Sequence, residues 1–524
     1  MDYATELARF NPDPALAGWV SGALETLLAQ VEQKTAEVEQ KQSALKHADI
    51  KIQALTFELA YLKRLKFSAK SEAFSSGQRD LFLDSLVEDT SAIQTEIMGP
   101  YPSEPVRKKT KPVGRHPLPD NLPRIEHRHE PASCSCGQCG QPLVKIGEDV
   151  TEQLDVEPAK FFVHRHIRPQ YACRACETVT AAPVPPAIID GGLAAPGLHA
   201  WVMVQKYLDH LPLYRIEQIS TRHGVTIARS TLAEWVGRIG VSLQPLVDRL
   251  TDILRSRQVL HADETPVPLL DPGNGKTKRA YLWAYRSNNL DEGPPIVVFD
   301  FQSGRSGTHA QTFLRDWQGS LMVDDYSGYK ALFQGNVTEL ACWAHARRKF
   351  FDLHAANQHP VAAEALRRIA ELYAIEREAQ QHTIEQRAQW RAEQSRPRLE
   401  SLYQWLLITR HKTADGSALA KAIDYSLKRW PALIRYADSG NLPVDNNSIE
   451  NAIRPIALGK KNWLFAGSER AGKRAAAIQS LFATAKANGI EPLAWLKDTL
   501  EKLPTWPNNR IDELLPLRKN HTPV

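Results

Sequence analysis

Cysteine is scarce: there are six in 524 residues, and five of them fall in tight spacings. That excludes a disulfide framework and points to a reduced compartment and a metal. Long apolar runs are missing too; none reaches the ~18 uncharged residues a membrane span needs. The N-terminus, MDYATELARF, has no basic start followed by an apolar stretch, so no secretory signal is expected. Nor is there a strong excess of one charge. The net +5 is weakly basic, yet it hides local concentrations such as RKKTKPVGR at 107–115, five basic residues without an acid. What remains is ordinary for a soluble protein, 43% hydrophobic and 24% charged, in a chain too long for one core. Three or four units are expected.

The N-terminal part reads as a helix with a seam. Leu24, Val31, Val38, Leu45, Ile52 and Leu59 repeat every seven residues, with Leu27, Ala48, Leu55 and Leu62 three residues later. Lys34 and Lys41 interrupt the companion row. This is a coiled-coil pattern, set against the alternative of one long helix packed on its own chain. The segment 98–125 is rich in Pro, Gly and Lys and reads as a basic linker. Its GRHP, Gly114 to Pro117, faintly resembles an extended minor-groove arm, although a solvated linker accounts for it.

Two C-x2-C pairs follow, Cys136 with Cys139 in CGQC and Cys173 with Cys176 in CRAC. Four thiolates at tetrahedral corners are what structural Zn²⁺ takes, so a zinc ribbon is expected. FFVHRHIR between the pairs alternates as a hairpin strand would. Cys134 is an alternative to Cys136. His164 and His166 are further ligand candidates, expected on a strand to face solvent. The competing reading is four reduced cysteines packed as small apolar residues.

LYRIEQISTRHGVTIARSTLAEWVGRI at 213–239 reads as a helix-turn-helix. Leu213, Ile216 and Ile219 mark the first helix, Gly224 the turn, and Ser230 an N-cap. Leu232, Trp235, Val236 and Ile239 line the second, a shape able to enter the major groove.

The strongest chemistry is carried by acids. VLHADETPVPL (259–269) is a strand ending in Asp263, with Glu264 beside it, and SLMVDD (320–325) is another ending in Asp324 and Asp325. AYLWAYR, PIVVFDF and VTELACWAH supply three more strands, and HAQTFLRDW a helix. With the first and fourth strands adjacent and parallel, Asp263 and Asp324 stand side by side, the order of a ribonuclease-H-like nucleotidyl-transfer fold. Two such carboxylates can hold two Mg²⁺ (or Mn²⁺) ions that activate a water or 3′-hydroxyl. The third acid is Glu450 in VDNNSIENAIRPIALGKKNWLFAGS, with Asp445 or Asn446 as cap. Arg454, Lys460, Lys461, Arg470, Lys473 and Arg474 follow with one acid, Glu469, among them, and are expected to face DNA phosphates. About a hundred residues of amphipathic helix lie between the fifth strand and Glu450. Cys342 and His345 form a separate C-x2-H pair, read as a packing and hydrogen-bonding element.

IGEDVTEQLDVEPAKFFVHRHIRPQYACRAC, HADETPVPLLDPGNGKTKRAYLWAYR, CWAHARRKFFDL and NNSIENAIRPIALGKKNWLFAGSERAGKRAA together resemble the DDE transposases of the insertion sequence 66 family, transposase C type. The resemblance covers nearly the whole chain and puts the family's three acids on Asp263, Asp324 and Glu450. The family's second acid sits in a TDGYAGY-like string; here it is VDDYSGY, with Asp325 where glycine is common, which argues against Asp325 as a ligand. The resemblance implies a zipper, a zinc-binding region and a helix-turn-helix before the catalytic domain. It also implies a bacterial, cytoplasmic, nucleoid-associated protein with possible accessory proteins, acting on double-stranded DNA as a homo-oligomer, at least a dimer. Arg347, Arg348 and Lys349 of CWAHARRKFFDL join the candidate DNA contacts.

The expected organisation is therefore multidomain α+β. A coiled coil spans 1–97, the linker 98–125, a zinc domain 126–190 and a helix-turn-helix 191–250. A ribonuclease-H-like catalytic domain (mixed sheet with helices), 251–355 and 440–490, is interrupted by a helical insertion at 356–439 and followed by a C-terminal element at 491–524. Two functions compete: a transposase that binds terminal inverted repeats, cleaves and transfers strands with Mg²⁺, and a DNA-binding regulator with an inactive core. The intact acids favour the first.

Overall fold

The computed structural model describes residues 84, 87–96, 118, 120, 122–130, 141–157, 160–271, 274 and 276–518, with 30, 33, 34, 41, 51, 52, 54–56, 58 and 59 near the N-terminus. The chain divides into two compact units, Met1–Phe67 and Ser68–Val524. In the first, the described positions, Lys34, Lys41, Ile52, Leu55 and Leu59 among them, are helical. The seam residues Leu24, Leu27, Val31, Val38, Leu45, Ala48 and Leu62 lie outside the described residues, as does the GRHP string.

The second unit is mixed α/β. Its first sheet holds β1 (Arg124–Arg128), β2 (Val144–Glu157), β3 (Lys160–Ala172) and β4 (Val179–Ala181), with β3 central. β2 and β3 form the long antiparallel hairpin expected from the alternating pattern, whereas β1 runs parallel to β3.

Helices α1 (Pro196–Tyr207), α2 (Leu213–Arg222), α3 (Arg229–Ser242) and α4 (Gln244–Arg255) come next. α2 and α3 make the helix-turn-helix shape, but α3 begins at Arg229, with Ala228 rather than Ser230 at its cap position. Glu217 Oε1 accepts the Arg229 N–H instead. More consequential is where α3 lies. A Cβ on Gly237 would run into the Glu88 carbonyl of the 87–96 helix, and one on Gly240 into the Arg474 side chain. Its apolar face and its glycine face are both covered, leaving Ser230 and Glu234 as its exposed residues. A helix enclosed that way has no free side for a major groove.

The main sheet has the order β7-β6-β5-β8-β9. β5 (Val259–Asp271), β6 (Lys276–Ser287) and β7 (Val297–Gln302) are antiparallel neighbours; β8 (Gly319–Val323) and β9 (Val337–Ala341) run parallel to β5. The first and fourth strands of this sheet are therefore adjacent and parallel. β5 is buried along most of its length, as its unbroken apolar start VLHA requires of a central strand. One sheet face packs Leu260, Ala262, Trp283, Tyr285, Leu321 and Val323 into a core shared with α1–α4 and α5 (Gly307–Leu314). The other packs Val267, Leu282, Phe299 and Phe301 against two late helices, α12 (Asn447–Trp463) and α13 (Glu469–Ala487). α13 also shields the edge strand β7: Ser480 and Thr484 accept from the Phe299 and Val297 N–H groups at 2.8 and 3.0 Å.

Between β9 and α12 the chain builds a helical body with its own core. It runs from α6 (Trp343–Asn357) through α7 (Pro360–Ala379), α8 (Ile384–Trp390), α9 (Arg396–His411) and α10 (Ala418–Lys428) to α11 (Trp430–Ile434). It leaves and re-enters at one point, where the Trp343 N–H donates to the Val444 carbonyl at 3.1 Å.

Candidate active site

Strand register brings the first two acids together. His261 of β5 forms the last ladder pair with Met322 of β8, and beyond it Asp263 and Asp324 stay close enough for Asp324 to help raise Asp263. Val323 pairs with Ala341 of β9, so the next step sets Cys342 beside Asp324. The third acid arrives through a latch. Asn446 is fully buried; its Oδ1 accepts from His261 Nδ1 at 2.9 Å, and its Nδ2 donates to the Ala262 carbonyl at 3.0 Å. Its own N–H meets Cys342 Sγ at 3.2 Å. Asn446 stands at the N-cap position of α12, yet its side chain does not cap the helix. It ties that end to β5 and β9 and sets Glu450, in the first turn, near Asp263. The expected strand end at Asp263 is corrected: β5 runs on to Asp271, because the residues after Asp263 pair with β6 in a long hairpin, so Asp263 stands mid-strand.

The corner is electrostatically uncomfortable. Burial, with Glu264, Asp324 and Glu450 nearby, pushes the Asp263 carboxyl up to about 8. Glu450 Oε1 and His345 Nδ1 are buried without hydrogen-bond partners, 3.8 Å apart. Arg348 approaches the other Glu450 oxygen at 3.7 Å. Cys342, His345 and Glu450 bring one ligand atom each within 4.8 Å of one another, although burial and neighbouring acids push the Cys342 thiol up to about 12. Glu264 points elsewhere. Its carboxylate accepts from Arg305 Nε at 2.9 Å and from the Tyr329 hydroxyl at 2.8 Å, and Arg305 lies 3.8 Å over the Tyr326 ring. Asp325 is engaged by Arg429 at 3.1 Å and Lys330 at 3.5 Å, so the neighbouring acid is an ion-pair partner of the helical body.

The family model described as Transposase IS66 family matches residues 191–474, more than half of the chain. The chain belongs to the IS66 transposase family. Further models match 54–126 (Transposase C of IS166 homeodomain), 133–177 (zinc-finger binding domain of transposase IS66) and 480–517 (IS66 C-terminal element). Relatives in Sinorhizobium fredii include the uncharacterized protein y4jD, 38% identical over 88% of this chain and 94% of its own length. A second, y4qI, is 36% identical over 93% of each chain.

Within this IS66 family chain the candidate DNA contacts separate into two groups. Arg347, Arg348, Lys349, Arg454 and Lys461 are exposed, and Lys460 is partly so, its Nζ reaching the Pro266 carbonyl at 3.2 Å. Arg474 corrects the expectation. It is buried under the 87–96 helix, donating to Glu88 at 2.7 Å and Asp89 at 3.0 Å. A guanidinium enclosed between two carboxylates is a packing element, not a phosphate contact. Arg470 is held by Glu96 at 2.6 Å, and Lys473, though exposed, pairs with Glu469 at 3.0 Å.

In the zinc-finger region, Cys173 and Cys176 sit on a tight turn after β3. The Cys173 N–H donates to the Thr178 carbonyl, the Glu177 N–H returns to the Cys173 carbonyl, and Glu177 takes a left-handed φ of 56°. Cys134, Cys136 and Cys139 lie outside the described residues. Because β1 is parallel to β3, it carries the chain toward this same end, where Tyr171 donates to Glu130 at 2.6 Å.

The sequence offered Asn446 only as a cap and His345 only as a packing partner of Cys342; the Asn446–His261 latch and the closeness of His345 to Glu450 were missed. They reach each other across more than a hundred residues. The one available signal was an Asn-Asn pair immediately before the helix carrying Glu450.

Proposed function

We propose that the chain is a DDE transposase that binds the terminal inverted repeats of its element on double-stranded DNA and cleaves and transfers strands with Mg²⁺ (or Mn²⁺). The observation that supports this reading is the parallel pairing of β5 with β8, together with the Asn446 latch, with Asp324 and Glu450 close enough to Asp263 to help raise it. The strand order supports a ribonuclease-H-like core. The orphaned Glu450 oxygen and the crowded carboxylates fit a cation, since positive charge there relieves desolvated like-charge repulsion. Asp263, Asp324 and Glu450 would hold it. The bound cation supplies Lewis-acid stabilisation of charge on the phosphate oxygens and a more acidic nucleophilic water or hydroxyl.

The chain's own groups do the remaining work. Asp263, its carboxyl raised by burial and the neighbouring acids, would hold the cation as a carboxylate. Arg348, beside Glu450, and Arg454 and Lys461, exposed along α12, track the DNA backbone near the cleaved phosphate. Cys136, Cys139, Cys173 and Cys176 hold one structural Zn²⁺; metal analysis finding none would remove that assignment. The 24–62 seam makes at least a dimer, and light scattering of a Val31/Val38/Leu45/Ile52→Ser variant with unchanged mass would remove it.

Cleavage of the element's own ends tests the reading. Asp263→Ala, Asp324→Ala and Glu450→Ala each abolish metal-dependent nicking while footprints on those ends persist, and Asp325→Ala retains more activity than Asp324→Ala. A wild-type chain that footprints but never nicks is instead a DNA-binding regulator.

A further inference from the structure

Strand β9 leads into a cysteine that the proposed chemistry does not use. Cys342 stands at the N-cap position of α6, with His345 three residues on. Alone, this C-x2-H pair offers two ligands, too few to hold an ion. The fold supplies a third. Cys342, His345 and Glu450 each bring one ligand atom within 4.8 Å of the other two. Among the described residues, no other three histidine, cysteine or acidic side chains meet in this way.

Several features prepare the group for a cation. His345 Nδ1 and Glu450 Oε1 are buried 3.8 Å apart, and neither has a hydrogen-bond partner. Two such atoms on tetrahedral arms of ~2.0 Å stand ~3.3 Å apart, and a sulfur at ~2.3 Å stands ~3.5 Å from each, so side-chain shifts of about 1 Å close the set. Cys342 Sγ accepts the Asn446 N–H at 3.2 Å, and the positive end of α6 lies beside it; both favour a thiolate. The latch that positions Glu450 therefore also fixes the sulfur. Arg348 is the opposing charge, 3.7 Å from the other Glu450 oxygen, but its side chain is 59% exposed and can turn into solvent.

We propose that Cys342, His345 and Glu450 form a binding site for one thiophilic transition-metal dication of the Zn²⁺ or Co²⁺ class. Three protein ligands leave the fourth tetrahedral position to water. A thiolate and an imidazole select that class over Mg²⁺. On entry Cys342 gives its thiol proton to solvent, and the sulfur electron pair makes the metal bond. His345 binds through its Nδ1 lone pair with its proton on Nε2, and Glu450 binds as a carboxylate, so one proton leaves per cation. Glu450 belongs also to the proposed Mg²⁺ corner. The two ions therefore compete for it, and an ion held by Cys342 and His345 turns cleavage off. Binding stands on the geometry of the three side chains, whereas the competition rests on the proposed function.

The test titrates the full chain with Co²⁺ in the absence of Mg²⁺, following visible absorption and metal content. The expected result is one Co²⁺ taken up per chain without loss of zinc, with the ligand-field bands of a tetrahedral ion and a charge-transfer band from one thiolate. Cys342→Ser removes the charge-transfer band, and Cys342→Ser and His345→Gln each weaken binding about tenfold or more. Asp263→Asn, outside the set, weakens it less than either. His345 is partly exposed, so His345→Gln decides where Cys342→Ser does not fold. No Co²⁺ uptake beyond exchange for zinc, bands without a thiolate contribution, or unchanged affinity in folded His345→Gln overturns the site. The largest loss in Asp263→Asn puts the ion on the acids and overturns it too. Mg²⁺ that raises the thermal melt, and so is bound, weakens Co²⁺ binding; unchanged Co²⁺ affinity overturns the sharing of Glu450. Cobalt bound as described by a chain that never nicks DNA removes the proposed function and leaves this site standing.

Discussion

Two places in this molecule bury several carboxylates, and they solve the problem in opposite ways. Under the 87–96 helix every buried acid faces a cation: Glu88 meets Arg474 and Lys206, Asp89 meets Arg474 and the Ser468 hydroxyl, and Asp84 meets Arg229 at 3.0 Å. Burial alone would raise Glu88, but Lys206 and Arg474 outweigh it and hold its carboxyl below the ordinary range. For Asp89 burial wins and the carboxyl is raised, so even a well-paired acid is not free of desolvation. Where β5 meets β8 the acids face one another, Asp263 rises to about 8, and Glu450 has only the distant Arg348 at 3.7 Å and His345 at 3.8 Å, with one oxygen lacking a hydrogen-bond partner. Paired buried charge is a lock, whereas crowded buried acids repel one another.

The largest effect expected from breaking this contrast is on chemistry. Asp263→Asn abolishes end cleavage, yet thermal unfolding without divalent metal shows stability equal to or above the parent, because the change removes repulsion. A destabilised Asp263→Asn protein would mean the corner is a lock after all. Next comes Arg474→Ala, which strands Glu88 and Asp89 and costs about 3–5 kcal/mol in denaturant unfolding. A loss below ~1 kcal/mol would show the 87–96 helix to be held by apolar packing alone. Asn446→Ala lies between the two regions. It leaves the His261 N–H and the Ala262 carbonyl unpaired at about 1–3 kcal/mol, and it lowers cleavage because Glu450 loses its anchor. Full activity at reduced stability would separate the latch from the chemistry.

The smallest effect is a pH slope. His199 on α1 is buried against Trp235, and burial pushes it down to about 3 despite Asp155 nearby. The unfolded chain takes up its proton at about 6.5, so stability present above that pH is lost as pH falls toward 3, by up to about 1.4 kcal/mol per unit. His199→Gln should flatten that acid limb, and stability curves from pH 7 to 4 for the two proteins decide it.

The carboxylate corner was legible because strands advertise themselves. VLHADE and SLMVDD are apolar runs that stop on acids, and parallel pairing of such strands leaves little freedom in register. The lock was not legible. Arg474 and Glu88 are 386 residues apart, and nothing local distinguishes an arginine that will meet phosphate from one that will meet a carboxylate. The burial of α3 was hidden for another reason. Its apolar stripe was plain, but the opposite side is closed by Gly237 and Gly240, residues that carry no hydrophobic signal and matter because a neighbour approaches where a side chain would be. The mixed sheet order followed from counting strands.

The helical body between β9 and α12 also has a consequence in time. Asp324 and Glu450 are 126 residues apart in the chain, and the Asn446 latch lies just before the second of them. At roughly 5–20 residues per second of synthesis, two acids leave the ribosome about 6–25 s before the third. For that interval a nascent chain carries Asp263 and Asp324 without Glu450 or its latch. The corner can be completed only after the helical body has been made.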